Sequence, residues 1–245
     1  MSIEVPQRLQ KVLAERGIGS RREIEAMIVA GQIQVNGQRA VLGLKVLPTD
    51  HIMVNGKLVS LPSAVATESP RVILYHKPVG EICTRSDPQG RITVFGSLPR
   101  LRDQRWISVG RLDINSSGLI LFTTDGDLAN KLMHPKANIE REYAVRVLGT
   151  VTTAIEDKIT YGVTLDDGTI AKFTKVKFVG GSGANSWYHV TLNQGRYREV
   201  RRIWESQGLR VSRLVRIRYG TVKLPRTLPE GKFIDLDYKT VLEML

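Results

Sequence analysis

Near the start of the chain apolar residues recur at helical spacing. Leu9, Val12 and Leu13 share one face, and Gly17 offers a stop. A second helix is expected next. Ser20-Arg21-Arg22-Glu23 has the form of a capping box, in which the Ser20 hydroxyl accepts from the Glu23 amide while the Glu23 carboxylate reaches back. Ile24, Met27 and Ile28 supply the buried stripe of that helix, and Gly31 ends it. The period then falls to two: IQVNGQ and IMVNGK read as short strands, each closed by an Asn-Gly turn. Residues 6–60 therefore read as one small unit. The stretch SLPSAVATESP has no periodicity and is rich in Ser, Pro and Ala, which makes 61–70 a linker.

From Arg71 onward strands dominate. VILYHKP, GLILFTT, REYAVRVLG, KFTKVKFVG and SWYHVTLN are β-like, whereas DGDLANKLMHP and REVRRIWESQG are helix-like, with Asp127 as the expected cap of the first. GGSGANS reads as a flexible hairpin tip, and His134-Pro135 as a helix end. Clean strand–helix–strand spacers are few. The expected class is α+β: a small α/β unit followed, over 71–245, by a mostly antiparallel mixed sheet. Trp106, Trp187 and Trp204 are expected to pack in the core or at its edge.

Composition adds a partner. The 245 residues are 42% hydrophobic, enough for a core, yet carry a net charge of +12. Between Gln194 and Arg226 ten Lys and Arg stand against two acids, Glu199 and Glu205. Such concentration favours a polyanion. The N-terminal residues lack the apolar core of a signal peptide, and no apolar run suits a membrane span. Cys83 is the one cysteine, which excludes an internal disulfide and a thiolate zinc cluster, and the four histidines stand far apart. A cytoplasmic, metal-independent protein is the default expectation.

Common catalytic templates fail. No phosphate-binding G-x-x-x-x-G-K-[ST] and no G-x-S-x-G elbow occurs, and TDGD lacks the glycine and glutamate of a calcium loop. Asp113 stands out instead. It lies between Leu112 and Ile114, just after Arg111 and just before an apolar run, so it is either tied into a structural pair or does chemistry that needs a shielded carboxylate. Burial would oppose its ionisation, and a nearby guanidinium would restore it.

Two resemblances cover nearly the whole chain. RLQKVLAERGIGSRREIEAMIVAGQIQVNG resembles an S4 RNA-binding domain, which implies an RNA-gripping face that includes Arg21 and Arg22. YHKPVGEICTRSDPQGRITVFGSLP, GRLDINSSGLILFTTDGDLANKLMHP, REYAVRV and NQGRYREVRRIWESQGLRVSRLVRIRYG resemble, in order, segments of the pseudouridine synthases that act on ribosomal RNA. Asn193-Gln194 and the GSLP at 96–99 depart from the usual wording of that family.

The resemblance implies a cofactor-free isomerisation of uridine in ribosomal RNA, most of all the 23S RNA of the large subunit, free or in a pre-ribosomal particle, by a monomer that needs no membrane. It assigns Asp113 as the catalytic carboxylate and Tyr143 as the ring that stacks on the extruded uracil. Arg201 becomes the expected ion-pair partner of Asp113, with Arg111 as its rival. Lys77 and Arg111 would line the RNA cleft, and Arg196, Arg198, Arg202, Arg213, Arg216 and Arg218 would contact the RNA backbone. Two alternatives are open: a non-catalytic RNA-binding or ribosome-assembly factor of the same fold, and a DNA-binding or nucleoside-processing enzyme.

Overall fold

The structure, a computed structural model, describes residues 5–60, 69–102, 104–182 and 184–245. Residues 61–68 of the expected linker lie outside this set, as does Gly183 in the expected hairpin tip. The chain divides into two compact units. One comprises Met1–Pro70 with Arg100–Trp106 and Thr124–Gly126; the other holds the remaining residues.

In the first unit α1 (Leu9–Glu15) and α2 (Arg21–Val29) pack on a sheet. That sheet consists of β1 (Ile33–Val35), β2 (Gln38–Arg39), β3 (Ile52–Val54) and β4 (Lys57–Val59), in the order β2-β1-β3-β4. The capping box forms: the Glu23 amide donates to Ser20 Oγ, and the Ser20 amide donates to Glu23 Oε2. Both Asn-Gly pairs take left-handed backbone, with Asn36 and Gly37 at φ 51° and 80°, and Asn55 and Gly56 at φ 49° and 75°. This twist is what a two-residue hairpin turn requires. Leu9, Leu13, Ile24, Ile28, Ile33 and Ile52 form the core between helices and strands.

The second unit is built on β5 (Val72–Lys77), β6 (Ile107–Val109), β7 (Ser117–Thr123), β8 (Arg141–Leu148), β9 (Lys175–Ser182), β10 (Asn185–Leu192), β11 (Arg210–Tyr219), β12 (Val222–Lys223) and β13 (Phe233–Leu236). They form one sheet in the order β9-β10-β8-β11-β7-β5-β13, with β12 beside β11 and β6 beside β7. The pairing is antiparallel throughout except between β11 and β7. Val72, Leu74, Leu119 and Leu121 join one apolar cluster with Leu128, Ala129 and Leu132 of α3 (Gly126–Met133). On the alternate positions Tyr75 and Phe122 meet edge to face at 6.2 Å, and Phe95 adds a second edge contact at 5.5 Å. Every residue of β7 is buried, which explains why its centre, Leu119–Phe122, is continuously apolar and does not alternate.

At the other end of the sheet Trp204 of α5 (Glu199–Glu205) is fully buried between Phe173 and Tyr188, with ring centres 5.9 and 5.3 Å away. Trp106 is buried too, and Trp187 is half-buried. The helix α4 (Thr153–Tyr161) lacked a recognised sequence signal. One expectation shifts. Helix α3 starts at Gly126, so Asp127 lies in its first turn and does not precede it. At GGSGANS the ladder continues to Ser182 opposite Asn185, a shorter tip than the glycines suggested. Among the described residues no helix is long and apolar enough to cross a membrane.

One edge of β7 accepts two partners. Ser117 and Gly118 pair with Val215 and Arg216 of β11, whereas Leu121 to Thr123 pair with β6. The segment 110–116 connects β6 to β7, so it must turn beside the place where β6 and β11 part. Gly118 makes the β11 contact possible. Its φ is 108°, and a Cβ there would collide with the main-chain N and O of Arg216.

Candidate active site

The segment carrying Asp113 is tied down along its whole length. The Leu112 carbonyl accepts from Cys83 Sγ at 3.3 Å, and the Leu112 amide donates back to the same sulfur at 3.4 Å. The Asp113 carbonyl accepts from the Ser116 amide at 3.0 Å, and that of Ile114 from the Gly80 amide at 2.9 Å. Arg201 Nη2 donates to the Asn115 carbonyl at 2.9 Å, and Lys77 Nζ to that of Ser116 at 2.8 Å. Each main-chain carbonyl from Leu112 to Ser116 thus has a donor. The Asp113 side chain, in contrast, has no hydrogen bond or ion pair among the described residues, and it faces a cleft of about 430 Å³. The loop is rigid in its backbone and uncommitted at its carboxylate.

Arg111, Arg141, Tyr143, Tyr197, Arg198 and Arg216 line the same cleft. Tyr143 is buried on β8, in register with Val190 of β10 on one side and Arg216 of β11 on the other. Arg198 has left-handed backbone (φ 50°) at the start of α5, a conformation uncommon for a side-chain-bearing residue and one that recurs at functional sites. Arg196 and Tyr197 are exposed at the rim.

Several expected roles change. The Asp113–Arg201 ion pair does not form, because the Arg201 guanidinium is occupied by the carbonyls of Asn115 and Val211, the latter at 2.9 Å. The two residues remain electrostatically linked: burial pulls the Arg201 pKa down, Arg198 adds to that, and Asp113 opposes it. No ion pair joins Arg111 to Asp113 either; Arg111 is exposed on the cleft wall. Lys77 does not reach solvent. It is fully buried, with its ammonium on the Pro78 and Ser116 carbonyls, and burial lowers its pKa against the pull of Cys83, Glu81 and Asp113.

Two further arginines of the expected RNA-contacting set have protein partners. Arg202 pairs with Asp166 and Asp167. Arg218 donates to Glu140, Glu142 and the Gly220 carbonyl. Arg216 is buried rather than displayed. Arg196 and Arg213 are exposed, as are Arg21 and Arg22 at the start of α2.

The sequence reading missed three contributors. Arg141 reaches the Ile139 and Asn193 carbonyls at 2.8 and 2.6 Å and the Tyr219 hydroxyl at 3.3 Å, so it enters the cleft fixed in place. It precedes Tyr143 by one strand period, and that spacing was the available signal. The Tyr219 ring lies between Arg141 and Arg216, with guanidinium carbons 5.0 and 5.4 Å from its centre. Cys83, whose thiol pKa is raised by burial, had no signal beyond being alone. Among the described residues no group of His, Cys, Asp or Glu could hold a metal ion.

A mixed sheet that offers one uncommitted carboxylate in a cleft of arginines, in a chain that also carries a helix-pair unit of the S4 type, suits an enzyme acting on RNA. Family models agree. That for RNA pseudouridylate synthase matches residues 71–206, and that for the S4 domain matches residues 7–52. The chain belongs to the RNA pseudouridylate synthase family and is an isomerase.

Among its relatives, ribosomal large subunit pseudouridine synthase B of Haemophilus influenzae is 56% identical over 237 residues, covering 96% of this chain and 66% of the relative. The protein of that name from Escherichia coli strain K12 is 55% identical over 233 residues, covering 94% of this chain and 79% of the relative. A solved pseudouridylate synthase shares the fold, with a TM-score of 0.67 at 24% identity, covering 98% of this chain and all of that one.

Proposed function

We propose that this chain converts uridine to pseudouridine in ribosomal RNA, specifically the 23S RNA of the large subunit, and that it works in the cytoplasm as a monomer. The substrate class is supported by the two relatives named for the large ribosomal subunit, at 56% and 55% identity. The S4 unit, with Arg21 and Arg22 exposed on α2, docks the RNA; residues 71–245 perform the chemistry. Exposed Arg111, Arg196 and Arg213 give a cationic approach to the cleft for the phosphate backbone.

The reaction breaks the bond between N1 of uracil and C1′ of ribose, turns the base, and joins C5 to C1′ with loss of the C5 proton. A stacked base cannot turn, so the target uridine must leave the helix at a cost of a few kcal/mol. Tyr143 receives it by stacking. Asp113 acts on the ribose, either bonding to C1′ or taking the C2′ proton, and both routes need the ionised carboxylate. The single observation that carries this reading is the uncommitted side chain of Asp113 on a fully anchored backbone. A group held in place before the substrate arrives loses little entropy at the moment of reaction. Arg201 and Lys77 act through the backbone of that loop.

Ribosomal RNA labelled with tritium at uridine C5 tests the proposal. Label should pass into water from large-subunit RNA and stay in small-subunit RNA. Release from the small-subunit RNA alone would redirect the substrate, and release from neither would refute the isomerisation.

A further inference from the structure

We propose that Arg216 is a catalytic residue whose guanidinium stabilises the negative charge that uracil bears while it is detached from ribose. The proposal rests on the isomerase reading above and adds to it a group for the leaving base.

Arg216 is 2% exposed. Its Nε donates to the Leu119 carbonyl at 2.6 Å, but Nη2 is buried with no partner, and Nη1 has no acceptor among the described residues. No carboxylate is paired with it; the face of Tyr219 lies 5.4 Å from its guanidinium carbon, and it acts electrostatically on the Cys83 thiol. Other arginines built into the sheet differ: Arg141, which also lines the cleft, is satisfied by two carbonyls and a hydroxyl, and Arg218, on the same strand as Arg216, by Glu140, Glu142 and a carbonyl. A buried cation without a counter-charge is costly, and groups kept in that state mark places where a ligand completes the set.

The position says which ligand atom that is. Arg216 is the cross-strand neighbour of Tyr143 on β8 and of Gly118 on β7, and it lines the cleft that Asp113 faces. A uracil stacked on Tyr143 would present its edge to the guanidinium. When the C1′–N1 bond breaks, its electron pair goes to uracil, and the charge spreads over N1, O2 and O4. This is true whether Asp113 bonds to C1′ or removes the C2′ proton. The free N–H groups of Arg216 can donate to one of those oxygens, and a donor as buried as this one acts more strongly than one in water. When C5 joins C1′ the charge leaves the base, so the interaction is strongest between the two bond changes. A backbone phosphate is a poor alternative ligand, because it would have to enter the floor of the cleft where the base itself must sit.

The test uses full-length protein and target RNA in single turnover at saturating enzyme, comparing Arg216→Gln with wild type. The target position carries uridine or 5-fluorouridine, whose fluorine stabilises the detached anion by itself. On uridine the variant should react roughly 10²- to 10³-fold more slowly, the loss typical of one charge-stabilising donor. On 5-fluorouridine, followed by its disappearance from nuclease digests, the loss should be several-fold smaller. Arg216→Lys, which keeps the charge, should fall between wild type and Gln on uridine. An equal loss on both bases would make Arg216 a structural residue and overturn the proposal; so would a change confined to RNA affinity. Should the Gln variant not fold, the Lys variant carries the same comparison of the two bases. Failure of wild type to convert uridine would instead overturn the isomerase reading.

Discussion

In the proposed role Asp113 is free to react because other residues do the holding. A carboxylate paired with Arg201 would have to break that pair to reach the ribose, whereas here the guanidinium grips the Asn115 and Val211 carbonyls and leaves the carboxylate to the substrate. Arg201→Ala therefore removes one anchor from the loop, at the Asn115 carbonyl, and one from β11, at the Val211 carbonyl. Turnover should fall sharply, RNA affinity should be largely kept, and stability should drop by about 1–3 kcal/mol for buried acceptors left unpaired. Chemical denaturation with parallel turnover and binding assays checks this; a variant weakened only in affinity would make Arg201 a phosphate contact. At this scale the sequence was informative about identity and poor about partners. Asp113, Tyr143 and Arg201 could be named from their segments, but hydrogen bonds between a side chain and a distant carbonyl leave no pattern in either segment. Lys77 and Arg216 look like any surface cation until their burial is known.

Strand pairing sets the site. β7 can carry the Asp113 loop at one end and touch β11 only because Gly118 lacks a Cβ and tolerates φ 108°. Gly118→Ala should separate the two strands, displace Arg216 along with the loop, and destabilise the fold by a few kcal/mol, as strained left-handed positions and overpacked contacts do. Thermal melting and turnover should fall together; an unchanged melting temperature would show that the strands have room. The apolar runs made β5 and β7 readable, and the Asn-Gly pairs made both small hairpins readable. The parallel contact of β7 with β11 was not, since it joins residues almost a hundred positions apart. α4 escaped because its buried contribution is small, with Ile159 as its buried residue.

Across the molecule, the proposal has charge bring the RNA in and the cleft select what reacts. The net charge of +12 implies that binding releases counterions. RNA affinity should fall steeply as salt rises, by about 10³-fold between 50 and 200 mM for roughly six neutralised phosphates, while the single-turnover rate of bound RNA changes little. A flat salt response, measured by filter binding, would contradict an electrostatic docking step. The basic stretch was legible in composition, but its division of labour was not: Arg196 and Arg213 are exposed, while Arg202 and Arg218 serve internal ion pairs. The central claim is that an anchored, unpaired carboxylate performs the chemistry, and Asp113→Asn tests it most directly because the amide keeps the shape and removes the charge. With C5-tritiated target RNA in saturating enzyme, the variant should bind as wild type does and release no label above background. Release at the wild-type rate would contradict the account.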